Sequence, residues 1–245
     1  MSSKVIVITG ASSGIGAALA ELLCANGHSV ALLARREAQL RAVAAHCGPN
    51  ALPILADVTH RETVNDALDE AVEHFGRVDV WVNNVGRGIT RNATDLTDHD
   101  IDEMMLINVK SALYGMQASF AHFRERGEGH IINVSSMLGR IPMAPFRSAY
   151  TASKHFLNAL TANFRDDLRT TYPGIQVSLV SPGVVATEFG LNALNGGVDS
   201  RQIPNAQSAD AVAQVIADVI QSRKADVYTM PTGQKAVVEY YSAER

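Results

Sequence analysis

Short apolar runs rich in β-branched residues alternate along the chain with longer segments whose apolar residues recur at helical spacing. This is the pattern of βαβ units winding a parallel sheet. The runs predict seven strands, at Lys4 to Thr9, Ser29 to Ala34, Ala51 to Ala56, Asp79 to Asn83, His130 to Ser135, Ile175 to Ser181 and Asp226 to Thr229. Helices are expected near 14–26, 37–46, 60–75, 98–126, 148–171 and 208–222, several stopped by Gly27, Gly48, Gly76, Gly127 or Pro173-Gly174. Val5-Ile6-Val7-Ile8 and Val30-Ala31-Leu32-Leu33 are apolar at every position, so both are expected to be covered on both faces, as in a doubly wound α/β sheet flanked by helices. One stretch breaks the alternation. Glu188 to Gln207, rich in Asn and Gly after the sixth strand, is long enough to expect a functional or mobile connection.

No Pro, Gly or Ser-rich linker divides the chain, so residues 1–245 read as one domain. A hydrophobic share of 47% and a formal net charge of -4 fit an ordinary soluble globular protein and suggest no nucleic-acid or membrane-surface partner. Cys24 and Cys47 lack metal-ligand spacing and fall in predicted helices, so buried free thiols are expected, as in a reducing compartment. The histidines show no metal-ligand spacing either, and no metal is expected. The first strand starts at Lys4, leaving no room for a signal peptide, and no apolar run reaches the length of a membrane span. The expected location is cytoplasmic.

Directly after the first strand comes Thr9-Gly10-Ala11-Ser12-Ser13-Gly14-Ile15-Gly16, leading into a helix. Glycines there allow a tight turn and let the backbone approach a pyrophosphate, whose charge the helix N-terminus favours. In this strand-turn-helix setting the run predicts a nucleotide site and a Rossmann-like sheet. Folds that take NAD place an acid near the end of the second strand, to accept from the ribose 2′-hydroxyl. Here Ala34-Arg35-Arg36 stands there instead, and guanidinium groups suit a 2′-phosphate by charge and fork geometry. NADP is therefore expected in preference to NAD.

Tyr150 and Lys154 stand four residues apart in a predicted helix, which puts a lysine ammonium beside a phenol. A free phenol titrates near pH 10, and bringing it to about 7 takes roughly 4 kcal/mol, within reach of a close positive charge in a sheltered site. The pair reads as a proton-transfer device. The alternative is a packed tyrosine beside an ordinary surface lysine.

The turn at Thr9 to Gly16, Asp57-Val58, Asn83-Asn84-Val85-Gly86, Asn108, Ser136, Tyr150, Lys154 and Pro182-Gly183 with Thr187 form an ordered set over nearly the whole chain. In that order they resemble the short-chain dehydrogenase/reductase family. The resemblance implies hydride transfer between a nicotinamide and a carbonyl or alcohol, with Tyr150 as acid/base. Lys154 would stabilise the phenolate and bind the nicotinamide ribose, Ser136 would orient the substrate oxygen, and Asn108 would hold a water linking Lys154 to solvent. Gly10, Ser12, Ser13, Gly14, Ile15 and Gly16 would cradle the pyrophosphate, with Arg35 and Arg36 on the 2′-phosphate and Asp57 and Val58 at the adenine. Asn83, Asn84 and Gly86 would shape the turn beneath the adenosine. Pro182, Gly183, Val185 and Thr187 would line the nicotinamide end, Thr187 on the carboxamide.

The chain departs from the family pattern in two places. Tyr150 lies fourteen residues after Ser136, one more than relatives commonly show, and Val85 stands where alanine is usual. Ser136 is preferred to Ser135 because Ser136-Met137-Leu138-Gly139 meets the family register. Trp81 reads as core and His155 as a packing or surface residue. Arg87, Arg140 and Arg147 could rim the mouth and favour an anionic substrate, but a solvated rim is the preferred reading, and 188–207 reads as a lid. Relatives pair through the two long helices, implying a homodimer or homotetramer. A non-redox NADP-sensing protein on the same fold is the competing reading; a sugar-nucleotide epimerase is disfavoured by the short C-terminal region.

Overall fold

The computed structural model describes residues 3–243. Its strands are β1 Val5–Thr9, β2 Ser29–Ala34, β3 Ala51–Leu55, β4 Val80–Asn83, β5 Gly129–Val134, β6 Ile175–Ser181 and β7 Asp226–Tyr228. All seven pair in parallel, in the order β3-β2-β1-β4-β5-β6-β7. The helices are α1 Gly14–Ala25, α2 Glu37–Cys47, α3 Arg61–Phe75, α4 Asp98–Met105, α5 Ser111–Arg126, α6 Ser148–Arg169, α7 Ala209–Ser222 and α8 Gly233–Ser242. This is the expected Rossmann-like, doubly wound α/β sheet.

Strand alternation divides the core in two. Ile6, Ile8, Val30, Leu32, Val80 and Val82 face one side, where α1, α2 and α7 cover them. Val5, Val7, Ala31, Leu33 and Trp81 face the other, against α3, α5 and α6. Trp81 is core, as expected. Pro53 lies inside β3, which the sheet tolerates because β3 is an edge strand.

Polar side chains inside the second layer tie β4 and β5 to the helices that carry the site. Trp81 Nε1 donates to Asn83 Oδ1 at 2.8 Å, and Asn83 Nδ2 donates to Asn133 Oδ1 at 2.8 Å and to the Ala112 carbonyl at 3.2 Å. Asn133 Nδ2 donates in turn to Thr161 Oγ1 on α6 at 2.9 Å. Gly115 on α5 leaves the room, since a Cβ there would stand 2.1 Å from Asn83 Oδ1. Asn83 is therefore spent on this network and does not turn toward an adenosine.

Two elements differ from expectation. The predicted helix over 98–126 is interrupted by a π-helical turn, Leu106–Lys110, in which the Ser111 N–H reaches back five residues to the Leu106 carbonyl. Helix α8 was not expected; it is short and largely exposed, tethered by the Tyr241 hydroxyl donating to the Arg140 carbonyl at 3.0 Å. Cys24 is buried and Cys47 half-buried, both free thiols, and burial pushes Cys24 up to about 12. Among the described residues, no helix is long and apolar enough to cross a membrane.

Candidate active site

The order of the sheet reverses at β1, which neighbours both β2 and β4, and an open α/β sheet has its crevice beyond the carboxyl ends of the strands at such a point. Asn84 spans it. Its N–H donates to Thr9 Oγ1 at 2.9 Å and its Nδ2 to the Thr9 carbonyl at 3.0 Å. Gly10 and Gly14 take positive φ, 69° and 56°, and a Cβ on Gly16 would stand 2.4 Å from the Gly10 carbonyl oxygen. The turn thus folds back on the start of α1 at a distance only glycine permits. No side chain caps α1, although Ser13 holds the N-cap position. An anion could take that place at the positive end of the helix.

Arg36 reaches over the same turn: its Nη2 donates to Ser13 Oγ at 2.6 Å and to Ser12 Oγ at 3.1 Å. Its partners are neutral hydroxyls, and among the described residues no carboxylate pairs with it. Arg35 stands 3.5 Å from Asp57. Burial works against the Asp57 charge, yet hydrogen bonds from Thr59 and the Arg35 guanidinium hold its carboxyl below the usual range. Val58 sends its side chain into the second core, and the part-buried Ile15 and Val185 pack against the first. Val85 Cγ2 lies 3.2 Å from where a Cβ of Gly10 would be; the larger residue fills the floor of the turn. At the far end, Thr187 Cγ2 approaches the corresponding position of Gly14 to 3.2 Å, and the Pro182 carbonyl accepts from Met137 N–H at 2.7 Å. Gly183 packs on Met230.

The chemical end lies beyond β4, β5 and β6. Tyr150 and Lys154 share one face of α6, 7% and 3% exposed. Lys154 is therefore no surface lysine. Its Nζ donates to the Val134 carbonyl at 3.0 Å and stands 5.9 Å from the Tyr150 ring centroid. Burial pulls Lys154 down to about 8 and pushes Tyr150 up to about 12, while a hydrogen bond from Ser136 and the charge of Arg147 pull Tyr150 the other way. The expectation of a phenol lowered by its lysine is corrected: in this geometry burial dominates, and the groups acting against it are Ser136 and Arg147.

Ser136 Oγ accepts from Leu138 N–H at 3.1 Å, which fixes its rotamer and leaves its own proton to donate. Ser135 faces away, donating to Asn158 Oδ1, while Asn158 Nδ2 holds the Gly139 carbonyl. Residues 140–147 form the irregular connection between the turn at Met137–Gly139 and α6, on which Tyr150 lies.

Asn108 lies in the π turn, and its amide is committed to protein. Oδ1 accepts from Arg87 N–H at 2.8 Å, and Nδ2 donates to the Arg87 carbonyl at 3.0 Å and to Ser153 Oγ at 3.1 Å. That amide braces the loop after β4 against α6. Gly86 passes beside it, with Asn108 Oδ1 and Lys154 Nζ each 3.4 Å from where its Cβ would be. Replacing Asn108 by Ala strands the N–H and C=O of Arg87, each costing about 1–3 kcal/mol when buried. A thermal melt of the Asn108→Ala variant should show a fall of several degrees, and an unchanged melt would refute the brace.

The segment after β6 is pinned over this end. Val185 bridges Gln207 at its base, and Leu194 bridges Ile89 at its tip, where Leu194 N–H donates to the Gly88 carbonyl at 2.8 Å. Phe189 sets its ring edge-on to Tyr150 at 5.6 Å. The three rim arginines fare differently. Arg140 is bound to Asp226 and Ser181, and Arg87 holds the Asn192 carbonyl and Glu103. Arg147, read as solvated, is half-buried with its charge felt at Tyr150. The signal for it was its place three residues before Tyr150 at a helix start, which puts both on one face.

The geometry has counterparts among known proteins. A model of the short chain dehydrogenase family matches residues 4–195. A protein described as an uncharacterized oxidoreductase of Staphylococcus epidermidis is 36% identical over 184 residues, covering 75% of this chain and 79% of the relative. A short-chain dehydrogenase/reductase from Burkholderia phymatum, solved in complex with NAD, superposes with a TM-score of 0.87 at 26% identity, covering 96% of this chain and 92% of that one. An alcohol dehydrogenase from Thermococcus sibiricus, complexed with 5-hydroxy-NADP, superposes with a TM-score of 0.80 at 26% identity, covering 93% and 94%. With a family model spanning most of its length and an oxidoreductase relative above a third identical, the chain belongs to the short-chain dehydrogenase/reductase family of oxidoreductases.

Proposed function

We propose that the protein is an NADP-dependent oxidoreductase that interconverts a ketone or aldehyde with an alcohol, with Tyr150 as the acid/base. The burial of Lys154 against Tyr150 carries the reading: at 3% exposed, with no carboxylate partner among the described residues, the ammonium serves no evident need of the fold. When bound along the crevice, the nicotinamide supplies or accepts the hydride. Tyr150 gives a proton to the carbonyl oxygen in reduction and takes one back in oxidation. Ser136 donates to the same oxygen as it gains charge, and Lys154 offers its ammonium to the phenolate and the nicotinamide ribose. Burial keeps the phenol protonated through the neutral range, which is the form that reduction needs.

Arg36, with Ser12 and Ser13 beneath it, supports the choice of NADP, since among the described residues its guanidinium has no competing carboxylate. Arg35 is the lesser partner because Asp57 already engages it. Arg36→Ala should raise the Kd for NADPH about 30-fold, as befits one charge-assisted contact, and leave NADH nearly unaffected. Fluorescence titration with both dinucleotides decides it; equal losses for the two would remove Arg36 from the 2′-phosphate. In this reading 188–207 is the lid of a single-domain enzyme, acting in the cytoplasm as a homodimer or homotetramer.

The function itself is tested by a screen of carbonyls and alcohols against NADPH and NADH, followed by the absorbance of the reduced ring. Turnover favouring NADPH supports the proposal. Tight NADPH binding with no turnover across the panel would instead favour a non-redox sensor.

A further inference from the structure

We propose that the substrate carries a carboxylate and that Arg147 binds it, an inference that rests on the reductase reading above and names its substrate class. Arg147 opens α6, three residues before Tyr150. Its Nη1 donates to the Ile89 carbonyl at 3.2 Å, and its guanidinium lies over the Phe146 ring at 5.5 Å. Both loops that frame the phenol are glycine where the guanidinium passes: Cβ atoms on Gly88 and Gly197 would stand 3.0 and 3.2 Å from its terminal nitrogens. Phe189, edge-on to Tyr150, lies 3.0 Å from that same position of Gly88. Guanidinium, phenylalanine and phenol thus share one wall of the site.

The charge on this wall is unanswered. The other arginines of the lid and its supporting loops each meet a carboxylate: Arg87 meets Glu103, Arg91 meets Asp100, Arg140 meets Asp226 and Arg201 meets Asp199. Among the described residues no carboxylate pairs with Arg147, and of the five N–H donors of its guanidinium one makes a hydrogen bond to protein. A half-buried cation left without a counter-charge is costly, and a substrate anion would supply the missing partner. The side chains packed around Tyr150 are apolar, with Ile89 buried behind it and Leu96, Leu138, Phe189 and Leu194 part-buried beside it. One guanidinium among such neighbours balances a single negative charge, which a carboxylate carries and matches in fork geometry; a phosphate dianion would keep a charge unpaired. The carboxylate makes no bonds in the reaction. The keto carbon gains a hydride from the reduced dinucleotide, and its oxygen gains a proton from Tyr150.

The test compares benzoylformate, benzoylpropionate and benzoylbutyrate with their methyl esters as substrates of the NADPH-loaded protein. Wild type should reduce at least one acid with kcat/KM about 30-fold above its ester. Arg147→Gln should bring that ratio close to one, and Arg147→Lys should keep part of it. The ratio within one variant does not depend on how much of the protein is folded. Esters reduced as well as every acid would overturn the proposal. So would an equal loss for acid and ester in Arg147→Gln, which would make Arg147 a positioning residue for the Tyr150 proton. If neither acids nor esters are reduced with either dinucleotide, while the wider panel is also inert, the reductase reading falls and takes this proposal with it.

Discussion

Tyr150→Phe is expected to bind NADPH within a few-fold of wild type and to turn over every carbonyl substrate about a thousandfold more slowly, the scale of a lost general acid. The substitution removes one oxygen from a ring that is 7% exposed and held edge-on to Phe189, so the packing of the ring is unchanged. Ser136 keeps its hydrogen bond from Leu138 N–H and stays in place. What disappears is the phenol proton that the proposed mechanism passes to the substrate oxygen. Steady-state kinetics beside a fluorescence titration of NADPH make the measurement. Turnover within tenfold of wild type would move the acid/base role elsewhere.

Lys154→Met should abolish most turnover and yet make the protein more stable. Burial lowers the lysine from 10.5 to about 8, so at neutral pH the folded protein holds an ammonium that the unfolded chain carries more easily. At 1.36 kcal/mol per pKa unit the cost is about 3 kcal/mol. Methionine removes that charge at similar volume, but the Val134 carbonyl loses its donor, which returns about 1 kcal/mol. A net gain of about 2 kcal/mol corresponds to a melting temperature higher by about 5 °C for a chain of this size.

The pH dependence separates this from simple repacking. Between pH 8 and 10.5 the unfolded state binds more protons at Lys154 than the folded state does, so wild-type stability from this group rises with pH. The advantage of the methionine variant should therefore be full below pH 8 and shrink as pH climbs toward 10.5. Tyr150 works in the opposite sense at higher pH: its raised pKa makes stability fall as pH rises from 10 toward 12. Melts at pH 7 and 9.5 suffice, and a variant less stable than wild type at pH 7 would show that the ammonium is a structural asset. A residue kept at a cost to stability is best explained by chemistry.

Most of the fold was legible because burial on both faces imposes a local pattern. Val5 to Ile8 and Val30 to Leu33 are continuous apolar runs since each alternate residue meets a different helical layer. The π turn at Leu106–Lys110 was not legible. It depends on Asn108 turning its amide onto the backbone of Arg87 and on Ser153, residues distant in sequence, and helical periodicity alone continues through it. Helix α8 escaped notice because it buries little and so has little apolar pattern to display.

The candidate site divides along the same line. Residues whose role follows from backbone conformation or from spacing within one element were readable: the glycines at 10, 14 and 16, the arginines after β2, and Tyr150 with Lys154 on one helical face. The sequence alone therefore determined a doubly wound sheet, a nucleotide turn and a phenol beside an ammonium, since each depends on neighbours no more than a few residues apart. Only the tertiary structure decided which groups act on that phenol, that Asn108 braces a loop, that Asn83 serves the core, and that among the described residues Arg87 and Arg140 meet a carboxylate while Arg147 meets none. Desolvation and ion pairing depend on what packs around a group from every side, and those surroundings exist only once the distant elements have come together.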